Sequence, residues 1–161
     1  MTNFTRDEQL TMMTLWSIFR SPLMMGGEMR DNDEWTLSLL TNKDVLHLHR
    51  NSFGAHQVMR DGDHVVWAAE GSDGERYAAL FNTGEEAAEV SVAFSDLGLN
   101  EDEAASVKNL WSGENIGIVS GTLSANIPAH GAALYRLTSD LVQRRVPSGT
   151  RRFLIFPDVL C

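Results

Sequence analysis

Cysteine is almost absent from this 161-residue chain, and its one copy, Cys161, is the last residue. No disulfide can form within the chain, no cysteine-based metal site is available, and an oxidising compartment is neither required nor excluded. Long apolar runs are also missing, because no stretch approaches the roughly 20 consecutive apolar residues that span a bilayer. The sequence therefore predicts no membrane segment.

Basic residues are scarce as well. The chain has 13 Lys and Arg against 22 Asp and Glu, which gives a formal net charge of −9. Neutralising a phosphate backbone needs clustered basic side chains, so this balance argues against a nucleic-acid partner. Asp7 and Glu8 lie in a polar N-terminal stretch with no basic segment leading into an apolar run, which is not the pattern of a signal peptide. The compartment stays undetermined.

The first fifty residues carry helix signals around one short apolar run. Thr5 and Glu8 have capping-box spacing, and a wide apolar face predicts a helix over Arg6 to Arg20. Pro22-Leu23-Met24-Met25 then predicts a strand buried on both faces, as in a parallel sheet, although no partner strand lies nearby. Asp31-Asn32-Asp33 caps a further short helix, and Asn42 to His49 is a mixed segment.

From about Gln57 the pattern changes to short β-branched or aromatic runs separated by turn residues. Such punctuation is typical of an antiparallel Greek-key β-sandwich, in which strands alternate between a buried and a solvated face. The predicted strands are Gln57–Arg60, His64–Glu70, Arg76–Asn82, Ala88–Phe94, Ser106–Trp111, Ile116–Ser120, Thr122–Ile127 and Ala132–Leu137. The fold class is therefore mostly β.

The last 23 residues, Ser139 to Cys161, differ in charge from the rest. Four arginines against two aspartates give them +2, whereas residues 1–138 carry −11. We interpret this segment as a disordered or out-of-frame basic tail. The alternative is a basic segment that docks on the acidic domain.

Several segments with fixed spacing resemble the α-galactosidases and α-N-acetylgalactosaminidases of glycoside hydrolase family twenty-seven, bacterial members especially. The resemblance covers nearly all of residues 5–137. Its most specific part comprises Asp7-Glu8-Gln9, Leu15-Trp16, Arg20 to Gly27, Leu37 to Asn42 and Val45. Weaker matches in the β-rich part are Val66-Trp67-Ala68, Tyr77 to Asn82, Phe94 to Leu99, Val107 to Trp111 and Ile127 to Ala132.

The resemblance implies a (β/α)8 barrel followed by a β-sandwich. Thr5 to Arg20 would be the last-but-one barrel helix, Pro22 to Met25 the eighth strand, and Asp33 to about Val45 the closing helical segment. The predicted division is then 1–50 for the end of the barrel, 51–138 for the sandwich and 139–161 for the tail. Relatives retain configuration with two aspartates, which are expected upstream of Met1, so no residue here inherits a catalytic role.

The stretch after the closing helix departs from the family pattern. Relatives usually have an Asn-Gln pair before a Pro-or-Ser-then-Gly turn, whereas this chain has His49-Arg50-Asn51-Ser52-Phe53-Gly54. Glu28 also stands where many relatives have Asp or Asn. The junction between barrel and sandwich is therefore expected to differ.

Gly26, Gly27 and Glu28 are the only candidates for a place beside substrate. They follow the predicted barrel strand, and barrel active sites form at the C-terminal ends of strands. The alternative is that the glycines permit a tight turn and Glu28 is a solvated side chain.

Other clusters favour structural interpretations, and no metal site or cofactor is predicted. Asp61 with Asp63 and Glu85 with Glu86 occupy hairpin turns, and His130 is a turn residue. His47, His49 and His56 lack a completing ligand set. The aromatic residues Trp67, Trp111 and Tyr135 lie in apolar strand runs, which favours packing over sugar stacking.

The predicted function is that of a C-terminal fragment of a retaining α-galactosidase-like hydrolase acting on terminal α-galactosides, mainly structural and inactive alone. Its expected partner is the missing catalytic barrel, or its own copies through exposed apolar surface. The alternatives are a free-standing carbohydrate-binding or interaction module, and an enzyme assembled from two chains. The preference between galactose and N-acetylgalactosamine is left open.

Overall fold

A computed structural model of the chain describes residues 2–24 and 26–139. Three α-helices come first: α1 (Arg6–Ile18), α2 (Glu34–Leu40) and α3 (Lys43–Asn51). Eight strands follow: β1 (Ser52–Asp61), β2 (His64–Gly71), β3 (Arg76–Asn82), β4 (Ala88–Ala93), β5 (Ala104–Asn109), β6 (Asn115–Ser120), β7 (Thr122–Ile127) and β8 (Ala132–Ser139). Short 3₁₀ turns occur at Met29–Asp31 and Ser95–Leu97. The predicted tail lies outside the described residues from position 140 onwards, while Ser139 ends β8.

The strands form two antiparallel sheets, as the sequence predicts. One sheet has six strands in the order β1-β2-β3-β8-β5-β6, and the other pairs β4 with β7. Neighbours such as β3 and β8 are distant in sequence, which is the kind of connection found in Greek-key sandwiches. The predicted mostly β, antiparallel sandwich is confirmed.

A hydrophobic core fills the space between the two sheets. Alternate side chains of each strand point into it, because successive side chains of a strand face opposite sides. Fully or almost fully buried members are Val66, Ala78, Leu80, Val90, Phe94, Val107, Leu123, Ile127, Tyr135 and Leu137. Their alternation with residues of the opposite face fixes the register of the sheets.

A second core lies on the outer side of the six-stranded sheet, beneath the helices. Ile18 of α1 and Val45 and Leu48 of α3 are buried there. The sheet contributes Ala69, Tyr77, Ala79, Phe81, Ala132 and Leu134. The helices and the sandwich therefore share apolar side chains, and α1 and α3 bury residues in the same core as the sheet.

Each α-helix begins at a polar cap. Thr5 and Glu8 form the predicted capping box of α1: Glu8 N–H donates to Thr5 Oγ1 at 3.2 Å and Thr5 N–H to Glu8 Oε2 at 2.7 Å. The Asp33 carboxylate caps α2. Asn42 Oδ1 accepts from the backbone of Asp44 and Val45 and so caps α3. These bonds satisfy N–H groups that a helix cannot pair internally.

The first fifty residues depart from expectation in two places. The mixed segment from Asn42 to His49 is helix α3, because Asn42 provides a cap and Val45 and Leu48 share one buried face. Pro22 to Met24, the described part of the predicted buried strand, is not a strand, and Met24 is 87% exposed. A parallel strand requires neighbours that satisfy its backbone, and the described residues supply none to this segment.

Buried Asn82, at the end of β3, joins two loops at one end of the sandwich. Its side-chain Nδ2 donates to the carbonyls of Glu86 at 2.7 Å, Ile127 at 3.1 Å and Pro128 at 3.2 Å. Its Oδ1 accepts from the N–H of Gly84 at 3.0 Å. The two Nδ2 hydrogens are shared among three carbonyls, so this one side chain contacts four backbone groups.

Candidate functional site

Gly26, Gly27 and Glu28 lie on an exposed connection between α1 and the first 3₁₀ turn. Glu28 caps that turn by accepting from Arg30 N–H at 3.2 Å, and its two carboxylate oxygens pair with Arg30 Nε and Nη2 at 3.0 Å each. The hydrogen bonds from the Arg30 side chain and backbone lower the pKa of Glu28. The carboxylate is therefore an anion held by its neighbour, with 49% of its side chain open to solvent.

The paired acidic residues lie at turns, where the sequence places them. Asp61 ends β1 and Asp63 lies in the turn to β2, where its carbonyl accepts from Thr83 N–H at 2.9 Å. Glu85, 90% exposed, pairs with His130 Nε2 at 3.2 Å. Such exposed carboxylates serve turn geometry and solubility.

The three histidines singled out in the sequence have separate partners. His49 Nε2 contacts the Ser21 carbonyl at 2.8 Å, and His56 Nδ1 contacts the Gly54 carbonyl at 2.7 Å. His47 Nε2 lies 3.9 Å from the carboxylate of buried Glu75. Within residues 2–24 and 26–139, no group of three potential ligands is arranged to hold a metal ion.

The strand aromatics are used for packing. Tyr135 is buried between the sheets, and this burial, with the nearby Glu114 charge, raises the pKa of its hydroxyl. Trp111 is partly buried and donates from Nε1 to Thr14 Oγ1 of α1 at 2.8 Å. Trp67 packs edge-to-face with Phe19, with ring centroids 5.7 Å apart. The predicted packing role is thus seen for all three.

Helix α1 is the element with an unusual surface, because it has apolar side chains on two sides. Met13 and Ile18, with the polar Thr14 and Ser17, are buried against the sandwich. A different set is partly exposed, and we call it the outer face of α1: Leu15, 39% exposed, Trp16, 42% exposed, and Phe19, 59% exposed and also in contact with Trp67. A soluble helix normally keeps one apolar stripe, so the outer face is a candidate contact surface.

Further contacts tie the helices to the strands. Asn42 Nδ2 donates to the carbonyls of Leu110 at 2.9 Å and Trp111 at 3.3 Å, and Lys108 Nζ pairs with Asp44 Oδ2 at 2.6 Å. These bonds fix the N-terminal end of α3 against the turn after β5. No sequence signal marks Asn42 as a cap or as a partner of these two carbonyls. Among the described residues no helix is long and apolar enough to cross a bilayer.

Comparison with known proteins assigns the β-rich part of the chain to a domain family. Residues 61–137 match the family model described as the alpha galactosidase C-terminal beta sandwich domain. Alpha-galactosidase 2 of Arabidopsis thaliana is 29% identical over 136 residues, which cover 83% of this chain and 34% of that protein. The chain thus spans about a third of the length of that relative.

Two solved bacterial structures extend the match through the helices. A GH27 β-L-arabinopyranosidase from Geobacillus stearothermophilus superposes with a TM-score of 0.82 at 52% identity, covering 86% of this chain and 31% of that one. A candidate α-N-acetylgalactosaminidase from Bacillus halodurans gives 0.81 at 40% identity, covering 86% and 33%. The sandwich architecture, the matched residues and these similarities agree. The chain therefore carries the C-terminal β-sandwich domain of the α-galactosidase family of glycoside hydrolases.

Proposed function

We propose that this chain is the non-catalytic C-terminal part of a retaining, bacterial-type glycoside hydrolase, in which residues 1–50 complete a catalytic barrel and residues 51–138 form the sandwich that covers it. The observation that carries the proposal is the outer face of α1. Trp16 and Phe19 are large apolar side chains left 42% and 59% exposed on a helix whose other side is already buried. An apolar surface of this kind marks a contact site.

The segment after α1 supports the same assignment. Met24 is 87% exposed, although Leu23, Met24 and Met25 have the composition of a buried strand. An apolar segment without sheet partners is accounted for if neighbouring barrel strands come from elsewhere. Gly26, Gly27 and Glu28 would then follow the C-terminal end of a barrel strand, where such barrels bind substrate.

Terminal α-galactosides are the substrate class that we propose for the intact enzyme. The relative from Geobacillus stearothermophilus is a β-L-arabinopyranosidase. β-L-arabinopyranosides share the ring configuration of α-D-galactopyranosides and lack the C6 hydroxymethyl group. A pocket that holds one ring is therefore chemically close to a pocket for the other. Retention requires two carboxyl groups about 5 Å apart, and we place both in the upstream barrel.

A hydrolysis assay tests the non-catalytic assignment. The purified chain is incubated with 4-nitrophenyl α-galactoside and, in parallel, with the β-L-arabinopyranoside and the α-N-acetylgalactosaminide. No release of nitrophenol above the blank is expected with any of them. Turnover that copurifies with the chain and disappears in an E28Q variant would overturn the proposal.

A second assay separates the structural assignment from a carbohydrate-binding module. The exposed Trp16 and partly buried Trp67 and Trp111 would report a bound sugar through their fluorescence. Titration with galactose and galacto-oligosaccharides is expected to leave the emission unchanged. A saturable change would favour the binding module.

A further inference from the structure

Arg20 has an unusual backbone conformation for a residue with a side chain. Its φ is +60°, in the left-handed region that favours glycine. It ends α1 in a Schellman arrangement, in which Ser21 N–H donates to the Trp16 carbonyl at 3.0 Å and Arg20 N–H to the Ser17 carbonyl at 3.3 Å. Glycine would adopt this conformation with less strain.

The Arg20 guanidinium reaches across to the end of α3. Its Nε donates to the His49 carbonyl at 3.1 Å, Nη1 to the Ser52 carbonyl at 2.6 Å and Nη2 to the Arg50 carbonyl at 3.5 Å. The last carbonyls of a helix have no partner within the helix and carry the negative end of its dipole. One planar cation thus satisfies three carbonyls where α3 passes into β1.

His49 makes the return contact. Its Nε2 lies 2.8 Å from the carbonyl of Ser21, so the tautomer with a proton on Nε2 donates to the residue that follows Arg20. The two contacts are reciprocal: Arg20 holds the backbone at His49, and His49 holds the backbone next to Arg20. They join positions 29 residues apart in the sequence.

We propose that Arg20 and His49 are paired positioning residues that fix the direction in which the chain leaves α1 relative to the sandwich. The segment that they direct begins at Ser21 and leads to Gly26, Gly27 and Glu28. His49 lies in the stretch that departs from the family pattern, whereas Arg20 lies in the block that resembles it. The positioning role of Arg20 and His49 is inferred from the described contacts alone. Only its consequence for a substrate pocket rests on the proposed function.

The test measures the orientation of the segment in solution. Residual dipolar couplings of the Ser21, Leu23 and Met24 amides are fitted together with those of strands β2, β3 and β8. In the unchanged chain they are expected to fit one alignment tensor. In R20A and in H49A the three amides are expected to leave that fit while the strand amides remain in it, and Ser21 amide exchange is expected to rise about tenfold, as for loss of one or two hydrogen bonds.

Two further variants separate positioning from general effects. R50A is the matched control, since Arg50 is an exposed cation on the same helix end whose Nε donates to the Leu46 carbonyl of its own helix at 3.2 Å. It should leave the couplings of the segment unchanged. R20G relieves the backbone strain without restoring the guanidinium contacts, so it should behave as R20A.

The outcomes are decisive in each case. Unchanged couplings in both R20A and H49A would overturn the proposal, as would a loss in R50A equal to that in R20A. If R20A fails to fold, R20K is measured in its place, because lysine keeps the charge but has a single donor group. An unaltered segment in H49A would then overturn the pairing. None of these results depends on hydrolysis, so they are distinguishable from a failure of the proposed function.

Discussion

Substitutions on the two sides of α1 should affect self-association of the chain differently. Trp16 and Phe19 belong to the outer face, whereas Ile18 is fully buried against the sheet. We expect the double variant W16S/F19S to abolish self-association of the chain and I18A to leave it unchanged. Both variants should lower the unfolding free energy, because Ile18 is fully buried and Trp16 and Phe19 are partly covered within the chain.

The magnitudes follow from exposure. With about 200 Å² for a Phe side chain and about 250 Å² for Trp, the exposed fractions of 59% and 42% leave roughly 120 and 100 Å² open to solvent. At ~25 cal/mol per Å², covering both would stabilise a contact by about 5.5 kcal/mol per copy, or about 11 kcal/mol for a symmetric pair. Association itself costs about 4–15 kcal/mol. At the low end of that cost the net gain is about 7 kcal/mol, so weak dimers with a Kd between about 10 µM and 1 mM are expected.

Sedimentation velocity over a concentration series measures this association, and urea unfolding measures stability. W16S/F19S should sediment as a monomer at every concentration and also lose about 2–5 kcal/mol of stability, because the covered parts of Trp16 and Phe19, including the ring contact between Phe19 and Trp67, are deleted. I18A should associate as the unchanged chain does and lose about 2–5 kcal/mol. An unchanged chain that stays monomeric near 1 mM, or a double variant that still associates, would refute the reasoning.

Three other substitutions test contacts within the fold. W111F removes the 2.8 Å hydrogen bond to Thr14 and should lower the unfolding free energy by about 1 kcal/mol, measured in urea; a change near zero would mean that solvent replaces the bond. N82A leaves three backbone carbonyls without their side-chain donor and should cost about 3 kcal/mol, and a loss below about 1 kcal/mol would contradict the role of Asn82 in joining the two loops. Hydrogen bonds from Ser139 and the Asn100 backbone lower the folded-state pKa of Glu103 below its ordinary value. The contribution of Glu103 to stability is therefore present above the pKa of the unfolded state and lost as the pH falls through the folded-state pKa. Stability should then fall less between about pH 6 and pH 2 in E103Q than in the unchanged chain. Equal losses would contradict the assignment.

The limits of the strands could be predicted closely because local turn residues mark them. The limits of β7 are those that the sequence predicts, and β2 ends one residue later than predicted, at Gly71. Strand β1 begins at Ser52, five residues before the predicted start. Its first residues are largely exposed and follow directly on a helix, so no apolar alternation marks them.

The errors occurred where structure depends on distant partners. Leu23 to Met25 has the composition of a buried strand, but a parallel strand exists only beside its neighbours, and the described chain provides none. Helix α3 was missed because His47 and His49 weaken its apolar pattern, while the partners of Asn42 lie more than sixty residues away. The contact between Arg20 and the end of α3 likewise has no local signal. The apolar composition of the outer face of α1 could be predicted from the sequence, whereas the exposure of each side chain is seen only in the structure.

The core beneath the helices also decides where this module can be cut. A shortened chain beginning at Ser52 would contain all eight strands, yet it would uncover Tyr77, Phe81 and Leu134, which are packed under Ile18, Val45 and Leu48. Such a truncation would exchange one aggregation-prone surface for a larger one. A portable unit must therefore start ahead of Thr5, and solubility has to be sought by redesigning the outward side of the first helix, never by deleting it.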